Sequence, residues 1–314
     1  MKIQKKHWLY FAIAAAPVLS FLTVVLRCVA LFTEYEQGRG YFDSNAPVNM
    51  TVTILMALGF LLFLVLGIVL RRELSTPSYA GTLSIFFSAG FSAVSLAVFA
   101  VFTVIAFTKT AGFIGILMLL SALLALALAV YFAFFLFPTP PETTARGMLG
   151  LSFVFFCLLS SFVLYFDMSE QMNSPAKLLA LLAFTTLTCY ALGECRGLLG
   201  RQSPALQYVL TALGMVLSLT AAVPNILYTV TRGKELVLST VYDFVLLAFG
   251  LYLFARLLQM LPRSLPLTHP LLRVFLRDDG DDAEAIEETD EAEDDDNDEV
   301  KEEEDGTEAE ENET

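Results

Sequence analysis

Apolar residues run along this chain in blocks of twenty or more, with prolines, glycines and charged residues gathered between them. A helix rising 1.5 Å per residue needs about 20 apolar residues to cross a hydrocarbon core of about 30 Å. Eight blocks reach that length: 8–32, 50–70, 79–107, 112–137, 146–166, 176–199, 204–231 and 236–261. Arg71-Arg72 closes the second, Pro138 to Pro141 close the fourth, and Pro175 and Pro204 precede the sixth and seventh. Such residues resist the hydrocarbon or stop helices. Backbone groups left unpaired in lipid are intolerable, and no ten-residue alternation suggests a barrel. The pattern predicts an all-α, polytopic helical membrane protein with eight transmembrane helices.

The first block follows Lys2, Lys5 and Lys6 and resembles a secretory signal in outline. Its apolar run from Trp8 to Leu26 is longer than the 7–15 residues of a signal core, and Ala14-Ala15-Ala16 lies inside it. It reads as an uncleaved first helix.

Charge divides the chain sharply. Of 314 residues, 17% are charged and 56% hydrophobic, with 27 Phe. A soluble domain carries about 25% charged residues. Residues 278–314 hold 23 of the 33 acids and one base, Lys301, a net −22. Residues 1–277 hold the other ten acids and 18 bases, a net +8. The overall −14 therefore describes a tail, and the body has the character of a bilayer protein. With eight spans, twelve Lys and Arg fall on the side holding both termini and six on the other. That bias predicts a plasma-membrane, multi-pass protein with cytoplasmic N- and C-termini.

The expected organisation is a transmembrane bundle over 1–266, a short basic interfacial segment over 267–277 and a disordered polyacidic tail over 278–314. Arg273 and Arg277, four residues apart, would place a basic edge of that short segment on anionic head groups. The tail is nearly free of branched and aromatic residues and cannot bury enough surface to offset chain entropy. Its plain reading, which carries more weight, is a solubilising extension; the other is a docking arm for a basic cytoplasmic protein.

A recurrence runs through the bundle. Tyr41-Phe42-Asp43 and Tyr165-Phe166-Asp167 are 124 residues apart, as are Pro138 and Pro262, and Tyr131 and Tyr252 are 121 apart. The spacing favours two parallel four-helix repeats, 8–141 and 146–266. The competing explanation is that aromatic belts and loop prolines recur in any bundle. Gly81, Ser84, Ser88, Ser92 and Ser95 in the third span, and Gly193 and Gly197 in the sixth, are small residues at the spacing that lets helices approach closely.

Ionisable residues at depth are the best functional signal in a membrane sequence. Arg27, Asn225 and Asp243 share a depth toward the outer face and form a candidate polar intramembrane site, with an Arg27–Asp243 ion pair at its sharpest. Pro224 adds a bared backbone carbonyl there. The plainer and weightier alternative has Arg27 snorkelling to the interface and Asp243 capping locally. Glu194, Arg196 and Arg256 form a candidate inner-face ion pair, expected chiefly as a snorkelling interfacial bridge.

Catalytic signatures are thin. His7 and His269 lie near charged ends, Asp243 is the only deep aspartate, and no zinc, nucleophile-elbow or phosphate-loop motif is present. Cys28, Cys157, Cys189 and Cys195 lie within spans and read as packing residues. The Asn49-Met50-Thr51 sequon abuts the second span. Expected partners are the lipid bilayer and a basic protein at the tail, with no nucleic acid, no cofactor and no metal. Three classes of function follow: a membrane scaffold, sensor or accessory protein, which is favoured; a small-solute or ion transporter; and, weakest, an intramembrane enzyme.

Overall fold

The computed structural model describes residues 2–36, 41–42, 46–74, 82–108, 112–137, 143–167, 174–199, 201, 203–232 and 238–260. Eight helices carry the fold: α1 (Lys2–Thr33), α2 (Pro47–Val69), α3 (Leu83–Phe107), α4 (Phe113–Ala133), α5 (Thr143–Phe166), α6 (Pro175–Leu198), α7 (Pro204–Arg232) and α8 (Leu238–Leu258). Each contains a stretch of 19 to 29 residues long and apolar enough to span a bilayer. The protein is a multi-pass membrane protein in contact with lipid. The interfacial and acidic segments, 267–277 and 278–314, lie outside the described residues.

Local chemistry sets the helix starts. Pro47, Pro175 and Pro204 each occupy a first helical position, where a missing N–H costs nothing. The Ser174 hydroxyl accepts from the Lys177 amide at 3.2 Å and caps α6. Glu34 caps α2 from outside, its two oxygens accepting from the Val48 and Asn49 amides at 2.9 and 3.0 Å. Between α1 and α2 the chain makes a two-residue antiparallel pairing, β1 (Tyr35–Glu36) with β2 (Tyr41–Phe42), which the apolar pattern did not predict.

α8 and α7 are the most enclosed spans, 72% and 61% buried, against 28% for α2 and α3. α7 lies against α1, α2, α6 and α8, while α8 also lies against α3. The outward faces expose Phe21, Val94, Phe113 and Met148, as helices surrounded by lipid can. Small residues permit the close approaches. A Cβ on Gly67, Gly193 or Gly250 would collide with Val209, Gln207 or Leu219 of α7. Ser88, Ser92 and Ser95 of α3 are buried, and Ser92 donates to the Ala248 carbonyl of α8 at 3.3 Å.

The two halves of the chain share the pairings α1–α2 with α5–α6 and α3–α4 with α7–α8. They differ elsewhere: α6 packs on α7, while α2 packs on α1 and α7, and α3 packs on α8.

Candidate functional site

The bundle has two ends. At the near end α1 begins; at the far end it finishes. Buried polar groups gather at both.

At the near end, Glu194 of α6 and Arg256 of α8 form an ion pair, with Arg256 Nη2 at 2.7 Å and Nε at 3.0 Å from Glu194 Oε1. Three phenols donate to the same carboxylate: Tyr190 at 2.6 Å, Tyr252 at 3.1 Å and Tyr131 at 3.4 Å. Arg256 Nη1 donates to Gln259 Oε1 at 2.9 Å, and Gln259 Nε2 donates to the Thr82 hydroxyl at 3.4 Å. Helical spacing explains the assembly. Tyr190 and Glu194 lie four residues apart on α6, as do Tyr252 and Arg256 on α8, so each pair shares a face. α4 adds Tyr131. The predicted ion pair thus differs in two respects. Arg196 is exposed and Glu194 pairs with Arg256. The pair is also sealed inside the protein, at 4% and 1% exposure, because a ring of aromatic side chains leaves no route for snorkelling.

At the far end, Asn225 Nδ2 of α7 donates to Asp243 Oδ1 of α8 at 3.3 Å. Both line a cleft with Leu164, Asp167, Ala176, Lys177, Ala180 and Tyr242. Its cavity volume of about 30 Å³ accommodates about two waters. Lys177 is buried at the first turn of α6, and its ammonium donates to the Asp167 carbonyl. Tyr242 is enclosed, its hydroxyl near those of Ser121 and Ser160. Two carboxylates, one ammonium, one amide and one phenol therefore converge where α5 ends, α6 and α8 begin and α7 nears its end.

Arg27 stands apart from this cleft. Its Nη1 donates to Asn49 Oδ1 of α2 at 2.6 Å, and its guanidinium lies 4.6 Å from the centre of the Phe42 ring. The expected Arg27–Asp243 pair is not formed. Arg27 lies where α1 meets α2, and Asp243 lies where α8 meets the cleft. Shared depth along the membrane normal does not fix position around the bundle.

A column of rings joins the two ends: Tyr242 to Phe99 at 4.8 Å between centroids, Phe99 to Phe156 at 5.4 Å, Phe156 to Phe249 at 6.1 Å, Phe249 to Phe132 at 5.9 Å, and Phe132 to Tyr252 at 4.9 Å.

Sequence reasoning did not assign Tyr190, Gln259, Lys177, Asp167, Tyr242 or Asn49 to a site. The spacing of Tyr190 to Glu194 and of Tyr252 to Arg256 was a usable signal, since residues four apart on a helix are neighbours. No such signal linked Lys177 to Asp243, which come from different helices. The chain matches no family model, no curated protein and no solved structure, so no residue role is carried over from a relative.

Proposed function

We propose that this protein is a non-enzymatic carrier that takes a small cation at the far-end cleft. The observation that carries the reading is the convergence of Asp167, Lys177, Asn225 and Asp243 on one small cavity within a membrane bundle. Ionisable groups are costly among membrane helices and mark solute or ion pathways when they line a cavity. Carboxylate and amide oxygens among the described lining residues are the donor types a hard cation takes, and a cavity with room for about two waters favours a small one. The aromatic column and the Glu194–Arg256 network would close the near end in this conformation. In this reading both termini are cytoplasmic and the cleft opens outward across the plasma membrane, as the twelve-to-six excess of basic residues on the terminal side favours.

The test is flux in sealed vesicles reconstituted with the full chain, using sodium, potassium and protons as probes. The wild type should carry at least one of them, and Asp243→Asn should reduce that flux about 10- to 100-fold, the worth of a hydrogen bond or contact to a charged group. A wild type that moves none of the three above protein-free vesicles would overturn the reading.

A second reading, as a membrane scaffold with an acidic docking tail, is favoured by the charge split of −22 over residues 278–314 against +8 for the rest. Removing 278–314 should leave membrane insertion intact and abolish salt-sensitive co-purification of a basic cytoplasmic protein. An unchanged set of co-purifying proteins counts against the docking arm.

A further inference from the structure

Arg27 is a buried cation that the described residues do not neutralise. It is 4% exposed. Nη1 is used by Asn49 and one face by Phe42, while Nη2 is buried with no hydrogen-bond partner. The nearest acid in the sequence, Glu34, is committed elsewhere, since both its oxygens take amides of the first turn of α2. Asn49 is neutral, so it orients the guanidinium without balancing its charge. A buried charge needs pairing, and an arginine fork left half used is a binding element for an anion.

Depth narrows the class. Arg27 lies six residues before Thr33, the last residue of α1, or about 9 Å from that helix end. Phe32 and Thr33 are exposed. An arginine there sits within reach of the phosphate level of a bilayer. Guanidinium and phosphate match in geometry as well as charge, two parallel N–H groups meeting two oxygens.

We propose that Arg27, held by Asn49 and Phe42, anchors a phosphate-binding site at the far end of α1 and α2. The phosphate belongs either to a lipid head group seated against the bundle or to a free phosphorylated solute. The site is separate from the far-end cleft and does not depend on the carrier reading.

The experiment uses the full chain, delipidated in a neutral detergent, with its thermal unfolding midpoint followed as probe is added. The probes are a short-chain phosphatidylglycerol, inorganic phosphate and a diacylglycerol of the same chain length. The lipid at about 100 times its dissociation constant should raise the midpoint by about 5 °C. The phosphate-free diacylglycerol should not, and Arg27→Gln should remove the rise. A rise with inorganic phosphate alone, lost in Arg27→Gln, supports the site and assigns it to a free solute. No rise with either phosphate probe, or an equal rise in Arg27→Gln, overturns it. Asn49→Asp covers the case in which Arg27→Gln does not fold. It supplies a counter-charge that the described residues do not place on Arg27, so the ligand-free midpoint should increase and the lipid-induced rise should shrink. A full lipid-induced rise in Asn49→Asp with no ligand-free gain overturns the proposal.

Discussion

Replacing Arg256 by methionine should destabilise the bundle by about 3–5 kcal/mol, the cost of stranding one member of a buried ion pair. Glu194 would keep its three phenols and lose the only cation that the described residues place against it. Gln259 would lose the Arg256 donor, and the link from α8 through Gln259 to Thr82 would weaken. The measurement is equilibrium unfolding of the full chain in mixed micelles, for Arg256→Met, Glu194→Gln and the double variant. Glu194→Gln should cost less, because Arg256 retains Gln259 as an acceptor. The double variant should recover much of the single-site loss, since two apolar or neutral groups leave no buried charge unbalanced. Strictly additive losses would mean that the two side chains are not coupled, contrary to their 2.7 Å contact.

Phe249→Ala should cost about 2–3 kcal/mol, and the reason differs from that in a soluble core. The separated helix also lies in an apolar medium, so the transfer of the ring out of water largely cancels. What remains is the void left among Phe132, Phe153 and Phe156, whose ring centres lie 5.9, 4.9 and 6.1 Å away, and the dispersion lost by its lining. Phe87→Ala is the matched control. That ring is 62% exposed on the outer surface of α3, lipid can replace it, and its removal should stay within about 0.5 kcal/mol. Unfolding in the same micelles measures both. Equal losses at the two positions would mean that the column is no better packed than the lipid-facing surface. In the carrier reading the void also thins the barrier between the cleft and the near-end network, so cation leak in reconstituted vesicles should rise for Phe249→Ala and not for Phe87→Ala.

The candidate sites were partly legible. Glu194 and Arg256 stood out because ionisable residues in apolar runs are rare, and Asn225 and Asp243 were placed at one depth by counting residues along α7 and α8. These are properties of single helices. Arg27 was given a different partner from the Asn49 it bonds, because counting gives height and leaves the angle around the bundle undetermined. Lys177 and Asp167 sit at the ends of spans, where charge is ordinary, and they became part of a site only when α5 and α6 met the Asn225 and Asp243 faces of α7 and α8.

The same division holds for the whole protein. By itself the amino-acid order determined, among the described residues, eight helices long and apolar enough to cross a membrane and, to within a few residues, where most of them begin and end. Hydrophobic length, helix-stopping prolines and the cost of unpaired backbone in lipid act along one dimension and can be read in one dimension. Only the tertiary structure decided which helices α7 and α8 pack against, that α2 packs on α7, and that five tyrosine, glutamate and arginine positions on three helices close on a single carboxylate network. Mean hydropathy sorts the spans only coarsely, the three of 1.6 to 1.8 (α6, α7 and α8) being 44–72% buried and the four of 2.3 to 2.9 (α1 to α4) 28–33% buried, and it does not choose which helix packs on which. Close approach at glycines and a few hydrogen bonds between helices make that choice, and both depend on which surfaces meet.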